Sequence, residues 1–544
     1  MIRYRPQTEV DFVIVGSGGA GGILAKELSV AGHSVVVLEQ GPWLEQEHTR
    51  HDEFSTQILY STWNDFFRHP QTFQKTANDA PIRSSEFVGL YYGRHVGGSN
   101  SHFTANYWRM HENDFRERSL YGEHAALADW PISYADLEPY YTKAEWELGV
   151  SGAPGPFDPP RSKAYPLPPL PPKAGGIVFA RGARKLGLHP QRAPMAILSR
   201  PYDGRQPCKH CGFCLGYQCE YKAKSSAFSA MIPKAVASGK CEIRPDSYVF
   251  RVEMNASGRA TGVRYYDKAR QEQVQRGRAV ILCCNGAETP RLLLMSESSQ
   301  FRDGLANSSG LVGKHLMFNC AAGATAVFPE PLNEWKSVGC THLVMDFHEG
   351  DPARGFYGGG GMDARLDWTG PISFALFHTR PDAPNWGADF KRQLVESFSH
   401  RVSIFCHGTS LAVETNQVLL DPELKDAWGL PAIRFRYRDH PDDLANVGFL
   451  QGHAHDILQA AGATQVWNDP IVEQTWANHM LGTCRMGNDP RTSVIDANHR
   501  THDVRNLFIC DGSSMVTSSR GQPTATIQAL AFRAADTIPQ ALKA

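Results

Sequence analysis

The chain has 544 residues, 42% apolar and 20% charged, with a formal net charge of −1. Such a length holds two or three domains with large cores, and the composition is that of an ordinary globular protein. The near-neutral balance gives no electrostatic case for nucleic acid or an anionic membrane surface. No apolar run approaches the roughly 18 residues of a membrane helix, and the N-terminus lacks the apolar core and cleavage site of a signal peptide.

Phe12–Val15 reads as a short apolar strand. Gly16, Gly18 and Gly21 follow in G-x-G-x-x-G spacing, then a helix from about Gly21 to Ala31 and a second strand, Ser34–Leu38, ending at Glu39. This is a βαβ unit for an adenine dinucleotide. Gly16 permits the tight turn, Gly18 lets the backbone approach a pyrophosphate, and Gly21 lets helix pack on strand. The helix N-terminus faces the phosphates, and Glu39 is placed to accept from a ribose hydroxyl, which favours FAD or NAD over NADP. A second glycine-rich turn stands at Gly97-Gly98-Ser99.

Tyr134–Leu148 spaces Leu137, Tyr140, Tyr141, Ala144 and Leu148 along one helical face. A Pro-rich connector, Pro154–Pro172, reads as a surface crossing. Cys208, Cys211, Cys214 and Cys219 then give C-x2-C-x2-C-x4-C, with Gly212 and Gly216 allowing a tight backbone. Thiolates so spaced suit an iron–sulfur cluster; zinc, or a set of plain reduced thiols, are the alternatives. Lys209, Lys222 and Lys224 stand near, either raising a cluster's potential or simply solvated. Cys241–Arg244, Tyr248–Val252, Thr261–Tyr266 and Ala279–Cys283 read as strands, and Asn285–Pro290 opens a helix with Thr289 or Glu288 near its cap. Residues 315–475 mix strand-like segments with Gly/Pro turns. Leu507–Cys510 reads as a strand and Thr524–Ile538 as a helix. His315, His453, His455, His499 and His502 lack metal-like spacing and are expected on the surface, His453 and His455 on one side of a strand.

These segments, in order, resemble the glucose–methanol–choline (GMC) oxidoreductase family of FAD enzymes over most of the chain. The resemblance rests on Gly16–Gly21 with Glu39, Gly97–His102, Asn285–Leu293, Asn478–Thr483, Asn506–Ser513 and Gln522–Ile527. Within the family the likeness is to bacterial FAD-dependent sugar and alcohol dehydrogenases, through Ser199–Arg205 and Asp129–Tyr134. It implies an α/β fold, with a Rossmann-type FAD-binding domain and a substrate domain built on an antiparallel sheet. The implied division is 1–150 for the first FAD-binding part and 151–205 for a connector and cover. It continues with 206–314 for the cysteine cluster and second FAD-binding part, 315–475 for the substrate domain, and 476–544 for the C-terminal catalytic and FAD-binding segment.

The resemblance also assigns roles. A flavin takes a hydride from an alcohol carbon only as the hydroxyl loses its proton, so the site needs a base, and His479 matches the family's catalytic histidine. Gln522 stands where the family commonly carries a histidine or asparagine; it cannot act as a base, but its amide can donate to the substrate oxygen and accept from a sugar hydroxyl. Gly97, Gly98 and Ser99 match the loop over the flavin. His102 matches a histidine that in some members bonds the flavin covalently; the alternative is a histidine that merely packs. Asp511, Gly512, Pro523 and Thr524 match positions lining the isoalloxazine or pyrophosphate. The implied activity is oxidation of an alcohol or sugar hydroxyl to a carbonyl, with electrons passed to an external acceptor, through an iron–sulfur cluster if the cysteines hold one. The alternatives are an oxidase that reduces dioxygen to hydrogen peroxide, a redox-neutral lyase, and a non-enzymatic electron carrier. The expected partners are a small-molecule alcohol or sugar, a small subunit and a cytochrome or other acceptor. The expected compartment is the cytoplasm, or the periplasm by co-export with a partner.

Overall fold

The computed structural model describes residues 2–44, 51–58, 63–85, 87–122, 126–378 and 380–542. Strands β1 (Val10–Val15) and β2 (Val35–Leu38) are buried almost throughout, as near-continuous Val/Ile/Leu runs must be in a parallel sheet covered on both faces. Helix α1 (Gly19–Val30) links them. Strand β3 (Cys241–Arg244) adds in parallel beside β2. Strands β4 (Tyr248–Met254), β5 (Ala260–Tyr266) and β6 (Glu272–Leu282) form an antiparallel meander. From Gly277 onward β6 leaves the meander and becomes the parallel neighbour of β1, with Leu507–Ile509 parallel on its other side. The sheet begun at residue 10 is thus completed by a strand from the far end of the chain.

Helix α2 (Tyr134–Leu148) has the bounds its periodicity predicts. The Ser133 hydroxyl accepts from the Asp136 N–H at 3.2 Å and the Asp136 carboxylate accepts from the Ser133 N–H at 2.8 Å, a reciprocal cap. Leu137, Tyr141, Ala144 and Leu148 are buried; Tyr140 is only half-buried, and fully buried Glu145 shares the inner face instead. Glu145 lies between Arg109 and Arg161, bonding each guanidinium through both oxygens at 2.7–2.9 Å. Two forked cations offset the cost of burying one carboxylate.

The second sheet holds β7 (Ala321–Val327), β8 (His342–Val344), β9 (Gly360–Arg365), β10 (Arg401–Gly408) and β11 (Gln465–Asn468). Its order is β11-β7-β10-β9-β8, followed by Gln191–Arg192, and every pairing is antiparallel. Strand alternation sends Met362, Ala364, Ile404 and Cys406 into a core with Leu450, Ala454 and Ile457 of α3 (Pro441–Ala460). Asp363, Arg365, Phe405 and His407 therefore face the other way, and Asp363, Arg365 and His407 are buried there. A smaller sheet joins Gln417–Lys425, Pro431–Arg436, Gln71–Gln74 and Ile82–Arg83. The C-terminal helix α4 (Thr524–Ala541) packs on α1 and α2.

Three expectations are corrected. His453 and His455 lie on α3, not on a strand. His315 and His499 are buried rather than on the surface; each donates from Nδ1 to a backbone carbonyl, Ala412 at 2.8 Å and Ile509 at 2.9 Å. The helix after Asn285 is capped neither by Thr289 nor by Glu288. Asn285 accepts from the Ala287 and Glu288 N–H groups, while Thr289 donates to Asp511 at 2.6 Å. Among the described residues no helix is long and apolar enough to cross a membrane.

Candidate active site

The three N-terminal glycines have different surroundings. Gly16 has φ of +95°, and a methyl there would strike the Cys283 carbonyl. A methyl at Gly21 would overlap the Gly16 carbonyl, whereas at Gly18 nothing of the protein lies within 4 Å. The turn therefore keeps open space where its second glycine approaches a ligand. Glu39 is buried; it accepts from Ser17 N–H at 3.1 Å, Ser17 Oγ at 2.7 Å and Gly41 N–H at 3.1 Å. Burial raises its carboxyl above the ordinary range, against those bonds. Gly97 N–H in turn donates to Ser17 Oγ at 3.0 Å, so Glu39, Ser17 and the second glycine loop form one linked unit.

Gly97 and Gly98 both have positive φ, and a methyl at Gly98 would press on Gly18. Ser99 Oγ accepts from Gly93 N–H at 2.8 Å. Around this loop, Asn100 Nδ2, Ser101 Oγ, His95 Nε2 and both ring nitrogens of His102 are buried without a hydrogen-bond partner. Buried polar atoms are normally paired, so such a cluster marks a place for a polar ligand. His102 lies edge-on to Trp63 at 4.4 Å, and burial holds it well below the ordinary histidine range. The open space at Gly18, the buried acid beyond it and these unpaired atoms fit FAD.

His479 follows the short strand Trp476–Ala477, parallel to Gly89–Leu90. Methyl groups at Gly286 or Gly512 would collide with the Met480 carbonyl, so two glycines hold this segment close. Desolvation, helped by His407 and Arg365, pushes His479 down to about 3. Gln522 is buried just before α4, where its Nε2 meets His407 Nδ1 at 3.2 Å; His407 Nε2 meets Asp363 Oδ2 at 2.7 Å. Trp108 lies edge-on to His407 at 4.9 Å and packs on Gly521. Gln522, His407, Asp363 and Arg365 thus converge on the His479 environment. Asp511 is consumed by the protein, accepting from Asn285, Thr289 and Ser513, so it braces the loop carrying Gly512. Pro523 is buried and the half-buried Thr524 opens α4.

The cysteine loop touches the same region. Gly216 N–H donates to the His102 carbonyl at 3.1 Å. Lys224 is not solvated: its buried ammonium donates to the carbonyls of Phe103, Cys214 and Tyr217 at 2.7–3.0 Å, joining the two loops. Burial pushes the Cys208 thiol up to about 12. Among the described residues the one His/Cys/carboxylate group of three with ligand atoms within 4.8 Å is His111, His348 and Glu349. Those two imidazoles stack 3.5 Å apart at 18°, so their planes do not meet within bonding reach of the ring nitrogens, as a shared ion would require. Asp114 and Arg520 complete this group as an ion-pair network.

His407 and Asp363 were missed by sequence reasoning. Their one signal was a charged or imidazole side chain at alternate positions of strand-like runs, the same signal that a solvated sheet face gives.

The sequence matches the GMC oxidoreductase family over residues 10–319 and again over residues 412–531. It is 34% identical to 2-methyl-1,2-propanediol dehydrogenase of Mycolicibacterium austroafricanum, over 97% of this chain and 95% of that one. It is 30% identical to the fructose dehydrogenase large subunit of Gluconobacter japonicus, over 98% of each chain. The fold matches the crystal structure of pyridoxine 4-oxidase from Mesorbium loti with a TM-score of 0.64 at 19% identity, covering 97% of this chain and 99% of that one.

Proposed function

Because this chain belongs to the GMC oxidoreductase family and so is an FAD-dependent enzyme acting on CH–OH groups, we propose that it is a dehydrogenase of alcohols or sugars with His479 as its base. FAD, when bound, supplies the hydride acceptor. The observation that carries the reading is that His407, which is bonded to Gln522, lies near enough to act on His479, whose segment is held against Gly512. His479 is neutral across the ordinary pH range because burial first, with the Arg365 guanidinium adding to it, disfavours its imidazolium form. It is therefore ready to take the hydroxyl proton, and the negative charge growing on the substrate oxygen raises its affinity for that proton as the reaction proceeds. Trp108 and Gln522 wall the site and orient the alcohol.

His479→Ala should slow anaerobic reduction of the flavin by about 10²–10⁴-fold, the range for a positioned base. A rate within a few-fold of wild type would remove His479 from the role. Dye reduction without hydrogen peroxide in air is the expected readout for a dehydrogenase; stoichiometric peroxide would make it an oxidase.

The cysteine loop is proposed as the seat of an iron–sulfur cluster that carries electrons to an outside acceptor. Its backbone bond to the His102 loop supports that path. Zinc held by four thiolates needs sulfurs about 3.8 Å apart, from Zn–S bonds of about 2.3 Å. Among the described residues no three of these thiols come within 4.8 Å of one another, which disfavours zinc and leaves plain reduced thiols as the alternative to the cluster. A small subunit is proposed from the name of the fructose dehydrogenase relative, a large subunit, and a cytochrome or other acceptor from the resemblance alone. The five-part division given above, with substrate residues mainly in 315–475, is proposed on the same footing.

A further inference from the structure

Asp363, His407 and Gln522 form a chain of two hydrogen bonds, 2.7 Å and 3.2 Å long, from the interior of the second sheet to the site. All three side chains are buried. Arg365 and His407 keep Asp363 below the ordinary carboxylate range despite its burial, and its Oδ2 also accepts from Asn106 Nδ2 at 3.0 Å. An ionised carboxylate can only accept, so His407 Nε2 carries the ring proton. Burial disfavours a second proton on His407, which leaves Nδ1 as a bare lone pair. Gln522 can offer that lone pair only its NH2 group. The orientation of the amide is therefore fixed by the chemistry of its partners. Among the described residues it makes no other hydrogen bond, so its carbonyl oxygen is left for the ligand.

A carbonyl oxygen cannot steady the negative charge that develops on the hydroxyl losing its proton to His479. It can accept a hydrogen bond from a second hydroxyl on the same molecule. Resting on the reading of this site as one for CH–OH oxidation, we propose that Asp363 is a positioning residue. Acting through His407, it turns the Gln522 carbonyl toward the substrate, so the enzyme selects alcohols with a hydroxyl next to the one oxidised, such as vicinal diols and sugars, over monohydric alcohols.

Asp363→Asn keeps the side-chain shape, but its NH2 can donate to Nε2. The ring proton then moves to Nδ1 and Gln522 turns round. The holoenzyme variants Asp363→Asn, Gln522→Ala and the double variant are compared by anaerobic flavin reduction. The matched substrates are 1,2-propanediol with 1-propanol and D-glucose with 2-deoxy-D-glucose, followed as kcat and KM separately. Asp363→Asn should lower kcat/KM for the dihydroxy member by about 10- to 100-fold and for its partner by no more than a few-fold. It should leave flavin content and the visible spectrum unchanged. In the Gln522→Ala background it should cost nothing further, because it acts only through that amide. If Asp363→Asn does not fold, Gln522→Ala alone must abolish the preference for the dihydroxy substrate. Equal losses on both members of a pair, or losses that multiply in the double variant, overturn the proposal and leave the oxidation reading intact. A wild-type flavin that no alcohol reduces overturns both.

Discussion

His102 is a buried imidazole with both nitrogens unpartnered, in contact with Trp63 and close to His95. Left as it stands, such a ring carries the full cost of two unmade hydrogen bonds. A bond from one of its nitrogens to FAD would remove part of that cost, and the resemblance supplies a covalent precedent. On acid precipitation of the holoenzyme, flavin absorbance should stay with the protein pellet, and His102→Ala should release it to the supernatant. Free flavin from the wild type would leave His102 as a packing residue. At this scale the sequence was unevenly informative. His102, His479 and Gln522 could be located because each sits in a recognisable motif. Asp363 and His407 could not, since Met-Asp-Ala-Arg has the alternation of a strand with one wet face. Only tertiary packing makes that face the wall of a pocket.

At the scale of elements, the first βαβ unit separates two kinds of glycine. A side chain at Gly18 meets open space, whereas one at Gly21 must displace the Gly16 carbonyl. Gly18→Val should fold with near-wild-type thermal stability but purify without yellow colour. Gly21→Ala should lose about 1–3 kcal/mol of stability, or more, from overpacking between helix and strand. Calorimetry and a visible spectrum on both variants check this, and a yellow Gly18→Val would show that the ligand does not run past this turn. The elements of this unit were legible because buried parallel strands leave uninterrupted Val/Ile/Leu runs, and α2 was legible because its cap and period agree. The helix cap at Asn285 was not. Asn285, Thr289 and Glu288 are all good capping types, and the choice was made by Asp511, more than 200 residues away in sequence, which takes the Thr289 hydroxyl.

At the scale of the whole molecule, several histidines are buried in neutral form. His95, His315 and His499 are each held at about 4, chiefly by burial, with Nδ1 against a backbone carbonyl and Nε2 buried and unpaired. In the unfolded chain each titrates near 6.5. The unfolded state therefore binds more protons below that pH, and stability present above it is lost as pH falls toward 4, by about 1.4 kcal/mol per pH unit for each histidine. Denaturant midpoints should fall steadily between pH 6.5 and 4. His315→Gln, which removes one titrating ring, should flatten the slope by about a third of the share these three contribute. An unchanged slope would count against neutral burial.

The partnership between β6 and Leu507–Ile509 also governs when the molecule can be built. The strand that finishes the nucleotide-binding sheet and the carboxylate that ties down its loops are both made long after β1 and the first glycine turn. The glycine turn at residues 16–21 is made first but has no finished cradle to serve until Leu507–Ile509 has been made. Prosthetic-group loading thereby waits for Leu507–Ile509 to emerge, and a nascent chain arrested before Asn506 would be an unloaded shell exposed to chaperones and proteases.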